Sequence, residues 1–112
     1  MPNKSRLPIT IQSSKSQWLF SFLAGAFLFN AIPHFVNGIS GNAFPTPFAD
    51  PPGKGLSSPE LNVLWAIFNI GAGYLLARSS VNKHRTGVNI TLFVLGGIVI
   101  SLVLSVSFSN KY

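Results

Sequence analysis

Residues 88–108 form the run VNITLFVLGGIVISLVLSVSF, which contains no charged side chain. A bilayer hydrocarbon core of roughly 30 Å needs about 20 mostly apolar residues per helical span. A charge at the centre of such a helix costs about 2.5–3.5 kcal/mol on insertion scales. The run therefore predicts a transmembrane helix, and its lack of charge is the feature that decides the fold class.

Two further charge-free runs precede this one in the chain. They lie between Lys15 and Asp50 and between Glu60 and Arg78, and they predict spans at residues 17–36 and 61–77. A chain of 112 residues with three spans has room for one transmembrane domain and for no soluble domain. We therefore predict an all-α integral membrane protein, a three-span helix bundle embedded in a lipid bilayer.

The positive charges divide unevenly between the two sides of this threading. Six basic residues fall on one side and two on the other, and the two acidic residues share the side of the smaller group: Lys4, Arg6, Lys15, Arg78, Lys83 and Arg85 against Lys54 and Lys111, with Asp50 and Glu60. By the positive-inside rule, residues 1–16 and the connection 78–87 are cytoplasmic, whereas the loop 37–58 and the tail 109–112 are external. The net charge of +6 is then a topology signal, not a nucleic-acid footprint.

The sequence also bears on which membrane holds the chain and on whether the first apolar run is kept as a span or cleaved as a signal peptide. A multi-span chain without targeting elements predicts the bacterial cytoplasmic (inner) membrane, with an organelle membrane as the alternative. A cleaved signal peptide is the competing interpretation of the first run, because Ala24-Gly25-Ala26 is a small-x-small sequence. The apolar run continues to Phe35, which favours a retained span.

Polar residues inside the spans are the first candidates for a site. Asn30 and His34 are four residues apart and share a helical face, and Pro33 removes one backbone hydrogen bond beside them. One interpretation is that the span bends or ends at Pro33-His34. The other is an intramembrane polar pocket that these two residues form with Asn62 and Asn69 of the second span.

The sequence Ser57-Ser58-Pro59-Glu60 predicts the start of the second helix. Either Ser58 is the N-cap with Pro59 at the first helical position, or Ser57 and Glu60 form a capping box. In both cases Glu60 lies near the positive end of the helix dipole, which stabilises a carboxylate without any catalytic role.

Small residues at four-residue spacing predict where helices pack. Gly97, Ser101 and Ser105 form one such stripe in the third span, and Gly73 belongs to a second stripe with Asn69 and Ala77. Stripes of this kind let backbones approach closely. They are expected to serve contacts within the chain, or else a homo-oligomer.

The loop 37–58 is too apolar for a solvated linker, and its prolines stiffen it. We predict an ordered external loop with both Phe44 and Phe48 buried and with Pro52-Gly53 in a type II turn. A surface of Phe44, Phe48, Asp50 and Lys54 would bind a partner protein or lipid. The simpler interpretation is a structural lid over three helices.

Several chemistries have little support in this sequence. The chain has no cysteine, and His34 and His84 fall on opposite sides of the membrane and cannot share a metal. A metal site of His34, Asp50 and Glu60, or a nucleophile triad using Ser57 or Ser58, has no supporting motif. We therefore expect no cofactor, no metal and no catalytic residue.

Two function classes remain from the sequence. The favoured one is a non-enzymatic accessory or structural membrane protein that binds another membrane protein or lipid. The other is a small transporter or channel subunit that uses Asn30, His34, Asn62 and Asn69. A transport pathway usually has an ionisable residue near the middle of the membrane, and this chain has none there, which favours the accessory protein. A membrane enzyme around His34 and Glu60 ranks third.

Overall fold

The structure, a computed structural model, describes residues 14–80 and 86–109. It consists of three long helices and one pair of very short strands: α1 (Ser14–Ile39), β1 (Phe44–Pro45), β2 (Leu56–Ser57), α2 (Pro59–Ser79) and α3 (Thr86–Phe108). Each helix is long and apolar enough to cross a membrane. Most of the predicted basic N-terminal segment, half of the connection 78–87 and most of the C-terminal tail lie outside the described residues.

The first helix is longer than predicted at both ends. It continues through Pro33 to Ile39, so of the two alternatives expected at Pro33-His34, a bend or an end, the end is wrong. A proline within a membrane helix removes one hydrogen bond, and packing against neighbouring helices tolerates that loss. The side chain of Asn37 then donates a hydrogen bond of 2.8 Å to the carbonyl of Pro33 one turn earlier.

The start of α2 selects one of the two predicted caps. Ser58 is the N-cap residue, and its hydroxyl accepts a hydrogen bond of 3.1 Å from the backbone N–H of Leu61. Pro59 occupies the first helical position, where its missing N–H costs nothing. The Ser58-Pro59 prediction is confirmed.

Helix α1 lies between the other two helices. Its contacts with α2 and its contacts with α3 fall on opposite faces, and in the described part of the chain α2 and α3 hardly touch each other. The first pair is antiparallel, because His34 near the end of α1 bonds Asn62 near the start of α2. Helix α3 runs parallel to α1, and its last residue, Phe108, reaches the connection that follows α1.

The α1–α3 contact is a reciprocal glycine crossing. A Cβ added at Gly25 would overlap the carbonyl of Phe93, and a Cβ added at Gly96 would overlap the carbonyl of Phe22. In both helices the glycine follows the phenylalanine by three residues, so the two backbones make the same contact in both directions. Only residues without a side chain permit this approach.

Some residues of the predicted small-residue stripes form helix–helix contacts within the chain. Gly97 lies against the ring of Phe29, and Gly73 lies against the side chain of Leu28. Ser101 and Ser105 are exposed on α3. The glycines of the two stripes therefore lie in buried helix contacts, whereas Ser101 and Ser105 of the α3 stripe do not.

The connection between α1 and α2 folds into a small structure that we call the lid (residues 40–58). Its strands pair antiparallel, with Phe44 opposite Ser57 and Pro45 opposite Leu56. The turn at Pro52-Gly53 has Gly53 at φ 74°, and Lys54 N donates to the carbonyl of Pro51, as a type II turn requires. The strand pair was not predicted from the sequence.

Candidate functional site

Two pairs of polar side chains join α1 to α2. The amide nitrogen of Asn30 donates to the side-chain oxygen of Asn69 at 3.0 Å, and Nδ1 of His34 lies 2.7 Å from the side-chain oxygen of Asn62. The four residues predicted to form a polar pocket are thus brought together as two bonded pairs. In a membrane such pairs satisfy groups that lipid cannot.

Asn62 is the centre of this network. It is completely buried, and its amide nitrogen donates to three carbonyls, those of Phe44 at 3.0 Å, Ser57 at 3.2 Å and Ser58 at 3.0 Å. Both lid strands are therefore bonded to one side chain of α2. This contact holds the lid against the helices.

The carbonyls around Asn62 also determine which ring nitrogen of His34 carries the hydrogen. Because the Asn62 nitrogen faces acceptors, its oxygen must face His34, and Nδ1 of the imidazole must carry the hydrogen. In the neutral ring, Nε2 is then an acceptor. His34 as a residue is 2% exposed, and its ring makes edge-on contacts with Phe44 and Trp65 at centroid distances of 5.4 Å and 6.3 Å.

The lid contains a second buried polar pair. The hydroxyls of Thr46 and Ser57 are 2.5 Å apart, and their residues are 1% and 7% exposed. Thr46 was not among the predicted site residues, and Ser57 was predicted only as a cap or nucleophile. No pattern in the sequence pairs them, since the contact depends on the strand register.

Of the four loop residues predicted to form a binding surface, Phe44 is buried and the other three are exposed. Phe44 is 6% exposed and packs edge-on against Phe108 at 4.8 Å, whereas Phe48 is 52% exposed. The prediction that both rings are buried is therefore wrong for Phe48, which rests edge-on against Trp65 at 5.2 Å. Asp50 and Lys54 are exposed. Phe48 lies at the rim of the lid, so Trp65 covers one side of its ring and the other side stays exposed.

A cavity of about 210 Å³ lies beneath the lid. It is bounded by α1, the lid, Trp65 of α2 and the end of α3, and its wall consists of Asn30, His34, Pro45, Thr46, Pro47, Gly53, Trp65, Leu104, Ser107 and Phe108. A second cleft of about 270 Å³ continues along α1 between α2 and α3, and Asn30 and Trp65 border both spaces.

The serines considered for catalysis have other partners. The hydroxyl of Ser58 caps α2 and the hydroxyl of Ser57 bonds Thr46, so neither is paired with His34. Glu60 is exposed in the first turn of α2. Across residues 14–80 and 86–109, no three histidine or acidic side chains gather into a group that could hold a metal ion.

Comparison with known proteins adds no family. No protein-family model, no curated protein and no solved structure matches this chain significantly. Its function is therefore argued from the bundle and the lid alone.

Proposed function

We propose that the chain is a non-enzymatic accessory protein of a bacterial inner membrane, and that it binds another membrane protein through the lid. In this proposal the three helices span the bilayer, the N-terminus is cytoplasmic, and the lid and C-terminus face outward. The six-to-two division of basic residues supports this orientation.

The observation that carries the proposal is how the intramembrane polar groups are used. Asn30 bonds Asn69, while His34 bonds Asn62, which in turn bonds the lid. Groups that conduct a solute face a shared aqueous path, and groups that hold a structure bond each other. The arrangement therefore supports a scaffold that presents a rigid lid.

The rim of the lid offers a surface that a partner could bind. Phe48 and Phe68 are 52% and 59% exposed, and both pack on Trp65, with Trp65 and Phe68 stacked at 5.4 Å. Exposed aromatic rings held rigid by neighbours are typical of protein interfaces. The same rings at headgroup depth would also anchor the protein in the bilayer.

Photocrosslinking in native membranes tests this proposal. A benzophenone side chain placed at Phe48 should give protein adducts that mass spectrometry identifies. The matched control is the same side chain at Val106, which is 71% exposed on α3 and is not part of the lid segment. Lipid adducts alone at both positions would contradict binding through the lid.

A small transporter or channel subunit is the second candidate, because Asn30 and His34 border the cavity under the lid. Replacing Asn30 by Leu and His34 by Phe removes this polar path. Solute or ion flux in proteoliposomes that disappears with the double replacement would favour the second candidate over the first.

A further inference from the structure

The cavity beneath the lid contains hydrogen-bonding groups that the bundle does not use. Nε2 of His34 has no partner among the described residues, and Nδ1 is already committed to Asn62. Asn69 donates to the carbonyl of Trp65, so its oxygen must accept from Asn30. This orientation makes the side-chain oxygen of Asn30 a second acceptor without a partner in the described chain.

Both of these groups are acceptors. The indole ring of Trp65 also borders the cavity, but its N–H is fully buried and out of reach of an occupant. Enclosed acceptors are costly unless something donates to them. A hydroxyl can donate to such an acceptor, which a carbonyl or an ester cannot do.

The wall of the cavity also restricts the charge of an occupant. Among residues 14–80 and 86–109, no lysine, arginine, aspartate or glutamate borders it. A phosphate or carboxylate would therefore be buried without a counter-charge, at a cost that an uncharged head group avoids.

The cleft beside the cavity suits an apolar chain. It has α1 as its floor and α2 and α3 as its walls, with Phe27 and Ile100 among its lining residues. The cavity and the cleft together reach the size of ordinary ligand pockets, about 300–1,000 Å³. The polar part is under the lid and the more apolar part continues along the helices, which is the layout of an amphiphile.

We propose that the cavity and cleft bind one neutral, single-chain lipid with a hydroxyl-bearing head group, of the monoacylglycerol type. Its hydroxyls donate to Nε2 of His34 and to the side-chain oxygen of Asn30, and its chain lies between α2 and α3. The proposal requires the helices to be in a membrane, but it does not rest on the partner protein proposed above.

Quenching of Trp65 fluorescence measures this binding directly. The chain has two tryptophans, so a Trp18→Phe background in detergent micelles leaves Trp65 as the reporter. The probe is monoolein brominated across its double bond, and the comparison probe is the methyl ester of the same brominated chain, which has no hydroxyl. We expect saturable quenching by the monoacylglycerol and about tenfold weaker binding of the ester.

Two serines of α3 give matched variants. Ser107 borders the cavity, whereas Ser105 borders a groove on the other face of α1. Ser107→Leu should weaken monoacylglycerol binding at least tenfold, and Ser105→Leu should leave it unchanged. His34→Phe keeps an aromatic ring and should abolish the preference for the monoacylglycerol over the ester. If His34→Phe does not fold, as judged by circular dichroism, the serine pair decides.

Three results would overturn the inference: equal binding of the ester, quenching that rises with probe without saturating, or quenching that Ser107→Leu does not change. The first indicates a groove for any chain, the second partition into the micelle, and the third binding elsewhere. Protein adducts at Phe48 alongside any of them would leave the proposed function standing. Saturable quenching without protein adducts at Phe48 would support the lipid site and contradict the proposed partner binding.

Discussion

Replacing Gly96 by alanine tests the glycine crossing that joins α3 to α1. The added Cβ would overlap the carbonyl of Phe22, and a backbone carbonyl cannot rotate away as a flexible side chain can. The helices must therefore separate, which also breaks the reciprocal contact between Gly25 and Phe93. Overpacking of this kind costs typically about 1–3 kcal/mol and occasionally more.

The net effect also includes helix propensity. Alanine is better than glycine in a helix interior by about 0.8–1.0 kcal/mol. With an overpacking cost near the upper end of its range, we expect Gly96→Ala to lower the free energy of unfolding by about 2 kcal/mol.

The chain provides a matched control for the same substitution. A Cβ added at Gly71, in α2, meets nothing within 4 Å. Gly71→Ala should therefore show the propensity gain alone and raise the free energy of unfolding by up to about 1 kcal/mol. Both variants can be unfolded by SDS in mixed micelles and followed by far-ultraviolet circular dichroism. If Gly96→Ala is as stable as Gly71→Ala, the close α1–α3 crossing does not exist in the protein.

Three further predictions concern the lid and the topology. Asn62→Leu leaves the lid carbonyls and His34 without their partner, so it should make the lid much more sensitive to added protease, whereas Asn69→Leu, which removes only a helix–helix bond, should not. Phe44→Ala empties a buried ring site and should lower the free energy of unfolding by about 3–5 kcal/mol in the same SDS assay; a loss below about 1 kcal/mol would contradict its burial. In intact cells, an impermeant thiol reagent should label Ser40→Cys and leave Ser79→Cys unlabelled, both positions being exposed in the structure, and reversed labelling would refute the proposed orientation.

The helices were predictable because their causes are local. A charge inside a span is costly wherever the rest of the chain goes, so the charge-free runs located three helices to within a few residues. The start of α2 was predictable from Ser58-Pro59, since an N-cap acts on its own first turn. The end of α1 was not, because the tolerance of Pro33 depends on helices packed beside it.

The candidate site was predictable as a set of residues but not as an arrangement. Asn30, His34, Asn62 and Asn69 stand out as polar groups within apolar runs. That Asn62 bonds the lid depends on the register of β1 and β2. Four-residue spacing likewise predicts Gly97 as a packing residue but not Gly96, whose role depends on its contact with the carbonyl of Phe22.

The sequence by itself determined the number of long apolar helices and their approximate limits. Both depend on the hydrophobicity and charge of consecutive residues, which can be added up without knowing which parts of the chain pack together. Only the tertiary structure decided that α1 is central, that α2 and α3 stay apart, and that a cavity opens beneath the lid. Those features depend on pairs of residues far apart in the chain, such as Gly25 with Phe93, whose contact is set by the close approach of two backbones.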